Sequence, residues 1–407
     1  MNLPLQGFRV LDLTRFLSGP YCTMVLADMG AEVVKVERFP EGDDSRRLAP
    51  KVAGESYPFT MPNRNKKSLA LDLKSAAGVE LFRRLAADAD LVIENFRPGV
   101  TARLGIGYDT LKADNARLIY CSITGFGQTG PYTSRPGFDI IAQGVTGFMR
   151  MTGHPGDRPA KVGIAINDIA AGATALYAIL GAHIHRLQGG EGQYIDVSLV
   201  DAGLAWTIWE AGAYFGSGEL PMPTGTRHRR STPYQAYRTA DGYVTIGANN
   251  DRLWERLCEQ VLDRPEWMTD PRYADLPARM DHVDDLEKDI EAVTTQHPTE
   301  HWIARLDAAG VPGGPVFTYD ETLDNEHVRS RDMVVELEHP VIGKVHNLGL
   351  PAKMSATPLR IHSAAPLLGQ HTAETLRDAG LDDAEIAELH DAGVVYDAAR
   401  EEVVTRG

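Results

Sequence analysis

The feature that most constrains the fold is an alternation in the first two hundred residues. Short apolar runs, "FRVLDLT", "EVVKVER", "SLALDL", "LVIENF" and "RLIYCSIT", are separated by stretches of helical character. "GPYCTMVLADMGA" and "AAGVELFRRLAADAD" are two of these stretches. Apolar runs too short for helices, alternating with helix-length segments, predict βαβ units and a parallel sheet in an α/β fold. In such sheets ligands gather at the loops following the strand C-termini. Those loops carry Arg15, Arg38, Asn95-Phe96-Arg97 and Thr124-Gly125-Phe126-Gly127, so topology alone nominates a site.

The chain has 407 residues, more than one compact core usually holds, and two domains are expected. A helix is predicted from about Ile169 to Leu187, closed by "QGG", with a strand and a further helix after it. The Pro- and Gly-rich "GSGELPMPTGTRHRRSTP" marks a crossing between domains. "YQAYRTADGYVTIGA" then predicts a hairpin around Asp241-Gly242. Residues 1–220 are assigned to a large domain, 225–325 to a small α+β domain, and 330–407 to a return into the first. The acidic C-terminal helices are expected to face solvent.

A net charge of -15 argues against nucleic acid as the main partner. No apolar run suggests a bilayer span, and "MNLPLQGFRVLDL" lacks a signal-peptide pattern. Three scattered cysteines, Cys22, Cys121 and Cys258, predict reduced buried thiols, and a cytoplasmic protein is expected. No GxGxxG follows the first strand, and no P-loop or GxSxG elbow occurs. His183 and His185 are spaced i, i+2 on a helix and do not face one another, so no metal site is expected. A set of basic and amide residues remains near the strand ends: Arg38, Lys66, Lys67, Lys74, Asn95, Arg97 and Arg103. Gathered on an acidic protein, they suit a ligand with several phosphates. Asp168, in "KVGIAINDIAAG", is expected to cap the long helix, its carboxylate accepting free N–H groups.

The segments "GFRVLDLTRFLSGPYCTMVLADMGAEVVKVE", "RNKKSLALDLK", "ADLVIENFRPG", "LIYCSITGFGQTGPY", "RPGFDIIAQGVTGFM", "GIAINDIAAG" and "HPVIGKVHNLGLPAKMSATP" occur in order over nearly the whole chain. Together they resemble the class III CoA-transferase family, which includes formyl-CoA, carnitine and dicarboxylate CoA-transferases and the α-methylacyl-CoA racemases. The resemblance implies a large Rossmann-like domain built from both chain ends, a small middle domain, and an interlocked homodimer. It implies acyl-CoA and a carboxylic acid as substrates and no tightly bound cofactor. Asp168 matches the nucleophilic aspartate, which a helix dipole would hold ionised. Arg38, Lys74, Asn95, Phe96 and Arg103 match CoA-contacting positions. Arg15 and Leu17 match positions lining the acyl site, and Asp139 matches a second carboxylate that orients substrate or its loop, or forms a salt bridge. Gly247, in "IGANND", matches the family's glycine loop, which supplies oxyanion contacts. The loop has one glycine here, which departs from formyl-CoA:oxalate specificity. The racemases use a histidine in a "GHD" context where this chain has Phe138 in "GFD", and phenylalanine cannot move a proton. Racemase therefore stands as the alternative function, with a non-catalytic CoA-binding protein as a third reading. "RPGFDIIAQGVTGFM" most resembles members that move CoA between succinyl-CoA and other dicarboxylates.

Overall fold

The computed structural model describes residues 3–398. The described residues form two compact units, 3–148 with 161–219 and 327–398, and 149–160 with 220–326. The first unit is built on a seven-stranded sheet: β1 (Arg9–Asp12), β2 (Glu32–Glu37), β3 (Lys67–Leu71), β4 (Leu91–Glu94), β5 (Ile119–Thr124), β6 (Tyr194–Ser198) and β7 (Val395–Tyr396). Their spatial order is β7-β3-β2-β1-β4-β5-β6. All neighbours are parallel except β7, which runs antiparallel to β3 through Val395–Leu71 and Tyr396–Ala70.

The alternation in sequence produces this sheet because both faces are covered. Val10 faces a core with Cys22, Leu26, Ala171, Ala175 and Ile179, while Leu11 faces one with Val34, Leu69, Phe82 and Leu376. On the first face the helices Ser18–Asp28 and Ile166–Leu187 approach closely at Gly172, where an added Cβ would lie 2.5 Å from the Ser18 carbonyl oxygen. Any larger side chain there pushes the two helices apart. The C-terminal helices Thr372–Asp378 and Asp383–Asp391 are not wholly solvent-facing as expected: Leu376 and Ile386 are buried in the second core. Their acidic side chains hid an amphipathic pattern.

The C-terminal segment joins the first unit through buried polar contacts. A hairpin, Val334–His339 with Gly343–Leu348, receives the Arg64 guanidinium at Asn347 (2.8 Å) and at the Leu348 carbonyl. The same guanidinium pairs with Asp28 at 2.7 Å.

The second unit holds an antiparallel sheet of Tyr234–Arg238, Tyr243–Gly247 and Gly313–Pro315, packed on Trp254, Leu257, Ile290, Trp302 and Leu306. Residues 149–160, placed in the large domain from sequence, cluster here instead. The Gly225 N–H donates to the Gly153 carbonyl (2.8 Å) and Arg229 donates to that of Met151 (3.2 Å). Among the described residues no helix is long and apolar enough to cross a membrane, and the three cysteines are free and buried.

Beneath the C-terminal ends of β1 and β2 lies a fully buried charge cluster. Lys35 pairs with Asp43 at 2.8 Å and donates to the Thr14 carbonyl at 2.7 Å. Lys66 pairs with Asp12 at 3.1 Å and donates to Asn63 and to the Pro20 carbonyl. Burial opposes the charge on Lys35, but the Asp43, Asp12 and Glu37 carboxylates outweigh it and hold its pKa above the ordinary lysine value. Removing one member of such a buried pair leaves the other charge stranded. Lys35→Met is expected to lower unfolding free energy by about 3–5 kcal/mol, read from urea denaturation. A loss below about 1 kcal/mol contradicts a structural role for the pair.

Candidate active site

The strand order reverses between β1 and β4, since β1 leads to β2 on one side and β4 leads to β5 on the other. A crevice outside the strand C-termini is expected at that point. A cavity of about 330 Å³ lies there, lined by the loops after β1, β4 and β5 and by the start of the helix Ile166–Leu187. It gathers Arg15, Asn95, Phe96, Phe126, Arg135, Phe138 and Asp168.

The loop after β1 is held from three sides. Asn95 clamps Arg15 by accepting its backbone N–H (2.9 Å) and donating to its carbonyl (2.8 Å), across the switch point. Asp43 accepts the Phe16 N–H at 3.2 Å. The Arg15 guanidinium reaches Asp44 at 3.0 Å and lies 4.8 Å from the centre of the Phe96 ring. Phe16 is left with φ 64°, a left-handed conformation that is strained for a phenylalanine. Its ring meets Phe138 edge-to-face at 6.5 Å. After β4, Glu94 accepts the Phe96 N–H at 2.7 Å and the Ser122 hydroxyl.

Asp168 does not cap the helix. The helix begins at Ile166, and Asp168 lies in its first turn rather than at the N-cap. The helix N-terminus is served by Asp139, which accepts the Asn167 N–H at 2.9 Å and the Gln143 side-chain amide at 2.7 Å. Gln143 is fully buried and in turn accepts the Val162 N–H at 2.8 Å. Asn167, also fully buried, donates to the Leu199 carbonyl at 3.0 Å. This chain fixes the backbone leading into Asp168 and leaves its carboxylate without a hydrogen-bond partner among the described residues. Burial and the Asp139 charge push the Asp168 pKa up to about 7. The helix dipole was expected to hold this group ionised; desolvation and a neighbouring carboxylate prevail instead.

The remaining sequence candidates divide. Arg38 is exposed and paired with Asp44 at 2.7 Å. Lys74 and Arg103 are exposed and, like Arg38, stand outside the cavity lining. Leu17 precedes the helix Ser18–Asp28, half-buried and outside the lining. Lys66 is buried against Asp12, and Lys67 is bound by Glu32 and Glu374 at 2.9 and 2.8 Å, so neither is available to a ligand. Asp139 opens the helix Asp139–Val145 and accepts from Gln143 within it and from the Asn167 N–H. Gly247 belongs to the second unit, and its N–H donates to the Pro312 carbonyl at 2.8 Å, leaving no free donor for an oxyanion. His183 packs edge-on against Phe8 and meets Arg186 at 3.0 Å, and the described residues contain no metal-binding cluster. Sequence reasoning missed Phe16, Asn167, Gln143 and Arg135. The only local hint was the polar Asn beside Asp168, since the partners of the others lie far along the chain.

The model of CoA-transferase family III matches residues 5–372. The human succinyl-CoA:glutarate CoA-transferase is 38% identical over 394 residues, 96% of this chain and 90% of that protein. The succinate–glutarate CoA-transferase of Agrobacterium fabrum is 39% identical over 382 residues, 92% of this chain and 95% of that one. A solved CAIB/BAIF family protein from Brucella suis superposes with a TM-score of 0.84 at 38% identity, covering 93% of this chain and 100% of its own. With the switch-point cavity and its buried carboxylate in place, these matches make the chain a member of CoA-transferase family III and an enzyme that transfers coenzyme A.

Proposed function

We propose that this enzyme moves CoA from succinyl-CoA to a C4–C6 dicarboxylate through a covalent intermediate on Asp168. The observation that carries the reading is the Asp168 carboxylate, set in the switch-point cavity with no hydrogen-bond partner among the described residues. The succinyl and glutarate names of the human and Agrobacterium relatives support the choice of substrates.

Ionised Asp168 attacks the thioester carbonyl, forming a mixed anhydride and releasing CoA thiolate. The thiolate attacks the aspartyl carbonyl, giving an aspartyl-CoA thioester and the free donor acid. The acceptor carboxylate then attacks this thioester, forming a second anhydride and again releasing thiolate. Attack of that thiolate on the acceptor's carbonyl yields the new acyl-CoA and restores the Asp168 carboxylate. No net proton is consumed. A carboxylate with a pKa near 7 is a better nucleophile, once ionised, than an ordinary one. Lys74, Arg103 and Arg38 are proposed for the CoA phosphates, with Asn95 and Phe96 shaping the cavity mouth. The racemase alternative requires a proton-transfer group opposite Asp168. Phe138, at the corresponding sequence position, lines the cavity and carries no such proton.

Asp168→Ala and Asp168→Asn are expected to abolish exchange while retaining CoA binding by calorimetry; turnover above about 1% of wild type contradicts the nucleophile role. Because the ionised form attacks, wild-type kcat/KM rises with pH and levels off above about 7. The raised pKa also has a stability consequence. The native state retains this proton more tightly than the unfolded chain, so its contribution is present at low pH and lost as pH climbs through about 7. Asp168→Asn should therefore gain stability relative to wild type between pH 5 and pH 8. A pH-independent difference contradicts the raised pKa.

Assembly as an interlocked homodimer belongs to the same proposal and rests on the resemblance. Such a pair separates only after extensive unfolding. Light scattering should give a dimer mass at low micromolar concentration, and a monomer mass contradicts it.

A further inference from the structure

Two arginines in the cavity differ in how they are held. Arg15 is held by Asp44 at 3.0 Å, a carboxylate it shares with Arg38, and its backbone is fixed by Asn95. Arg135 has no carboxylate partner among the described residues. Its N–H donates to the Tyr132 carbonyl at 2.9 Å, closing a turn, and its guanidinium carbon sits 3.8 Å from the centre of the Tyr132 ring. Tyr132 is itself set edge-on to Phe126 at 5.6 Å and 81°. Phe126, Arg135, Phe138 and Asp168 line the same cavity.

The turn is anchored to β5 by a close backbone approach. An added Cβ on Gly125 would lie 2.6 Å from the Gly137 Cα, so the two loops touch main chain to main chain. The platform of Phe126, Tyr132 and Arg135 thus stands on the sheet. Stacking occupies one face of the guanidinium and leaves its N–H edges unpaired among the described residues, the geometry suited to a bidentate carboxylate. Arg38, Lys74 and Arg103, the phosphate candidates, do not line this cavity.

From this arrangement, and resting on CoA transfer at Asp168, we infer that Arg135 is the specificity residue that binds the distal carboxylate of a dicarboxylate substrate. CoA transfer consumes only one carboxyl group of the acid. The second enters a cavity that already holds Asp168 and Asp44, with Asp44 engaged by Arg15 and Arg38. Asp168 is then the carboxylate in the lining with no cation on it among the described residues, and a pre-oriented cation offsets its repulsion and recognises the second carboxylate. Arg97 also lines the cavity, on a wall shared with a neighbouring cavity of about 590 Å³. No aromatic ring or carboxylate among the described residues holds it in place, so Arg135 is the pre-organised cation.

The test uses the full-length enzyme with saturating succinyl-CoA and compares glutarate with pentanoate, which lacks the second carboxylate. Wild type should favour glutarate in kcat/KM. If it does not, the dicarboxylate reading itself falls. Given that preference, Arg135→Gln should raise the glutarate KM by about 10- to 100-fold and collapse the glutarate-to-pentanoate ratio, since a charge-assisted contact is lost. Arg135→Lys, which keeps charge and loses the fork, should give an intermediate ratio, and equal melting temperatures exclude misfolding. A glutarate preference that survives Arg135→Gln overturns the inference while leaving CoA transfer intact. So does a preference lost in Arg97→Gln but kept in Arg135→Gln.

Discussion

The buried charge cluster under β1 and β2 is the constraint on which the site depends. Asp12 sits at the end of β1, fully buried, and accepts the Thr14 N–H (2.9 Å) and hydroxyl (2.5 Å), the Thr23 hydroxyl (2.7 Å) and the Lys66 ammonium. Lys35, from β2, ties the Thr14 carbonyl to Asp43. Asp43 in turn receives Phe16 and Ser45 N–H groups. Glu37 continues the cluster to Arg46 at 2.7 Å and to Ser68 at 2.8 Å. Charges this deep are tolerated only because each is paired and hydrogen-bonded. A single turn, Thr14 to Phe16, is thereby specified from both sides. The strained Phe16 backbone persists because these contacts over-determine it.

A second polar chain does the same for the reacting side of the cavity. Gln143 holds Asp139, Asp139 holds the Asn167 N–H, and Asn167 holds Leu199. Gly203 makes room for this, since a Cβ there would lie 2.0 Å from the Asn167 side-chain nitrogen. The consequence is a division of labour between two carboxylates. Asp139 spends its oxygens on the scaffold, while Asp168 keeps its own and acquires a raised pKa, partly from the Asp139 charge. Environments that push two neighbouring carboxyl groups into different roles are a recurrent way to make one reactive.

How far the sequence revealed this depended on the range of the interactions. β1 to β5 follow the five apolar runs and their helical spacers because burial on both faces demands continuous apolar segments, whereas β6 is an edge strand with Tyr194 and Asp196 exposed. The strand-end loops of β1, β4 and β5 then meet at the switch point, which brings Arg15, Asn95 and Phe126 together. Lys66 and Lys67, beside each other in a polar stretch, looked available to a ligand. One is buried because Asp12 waits 54 residues earlier, and the other is held by Glu32 and Glu374. The helix start was misplaced for the same reason: its capping oxygen comes from Asp139, 28 residues before Asn167. Local propensity carries no record of such partners.

The account stands or falls on the bond formed at Asp168. Incubation with succinyl-CoA followed by hydroxylamine converts an aspartyl thioester or anhydride to a hydroxamate, which peptide mass spectrometry locates. The account predicts modification of the peptide containing Asp168, dependent on donor and absent when succinyl-CoA is omitted. An enzyme that exchanges CoA under the same conditions yet never carries the modification at Asp168 would contradict it.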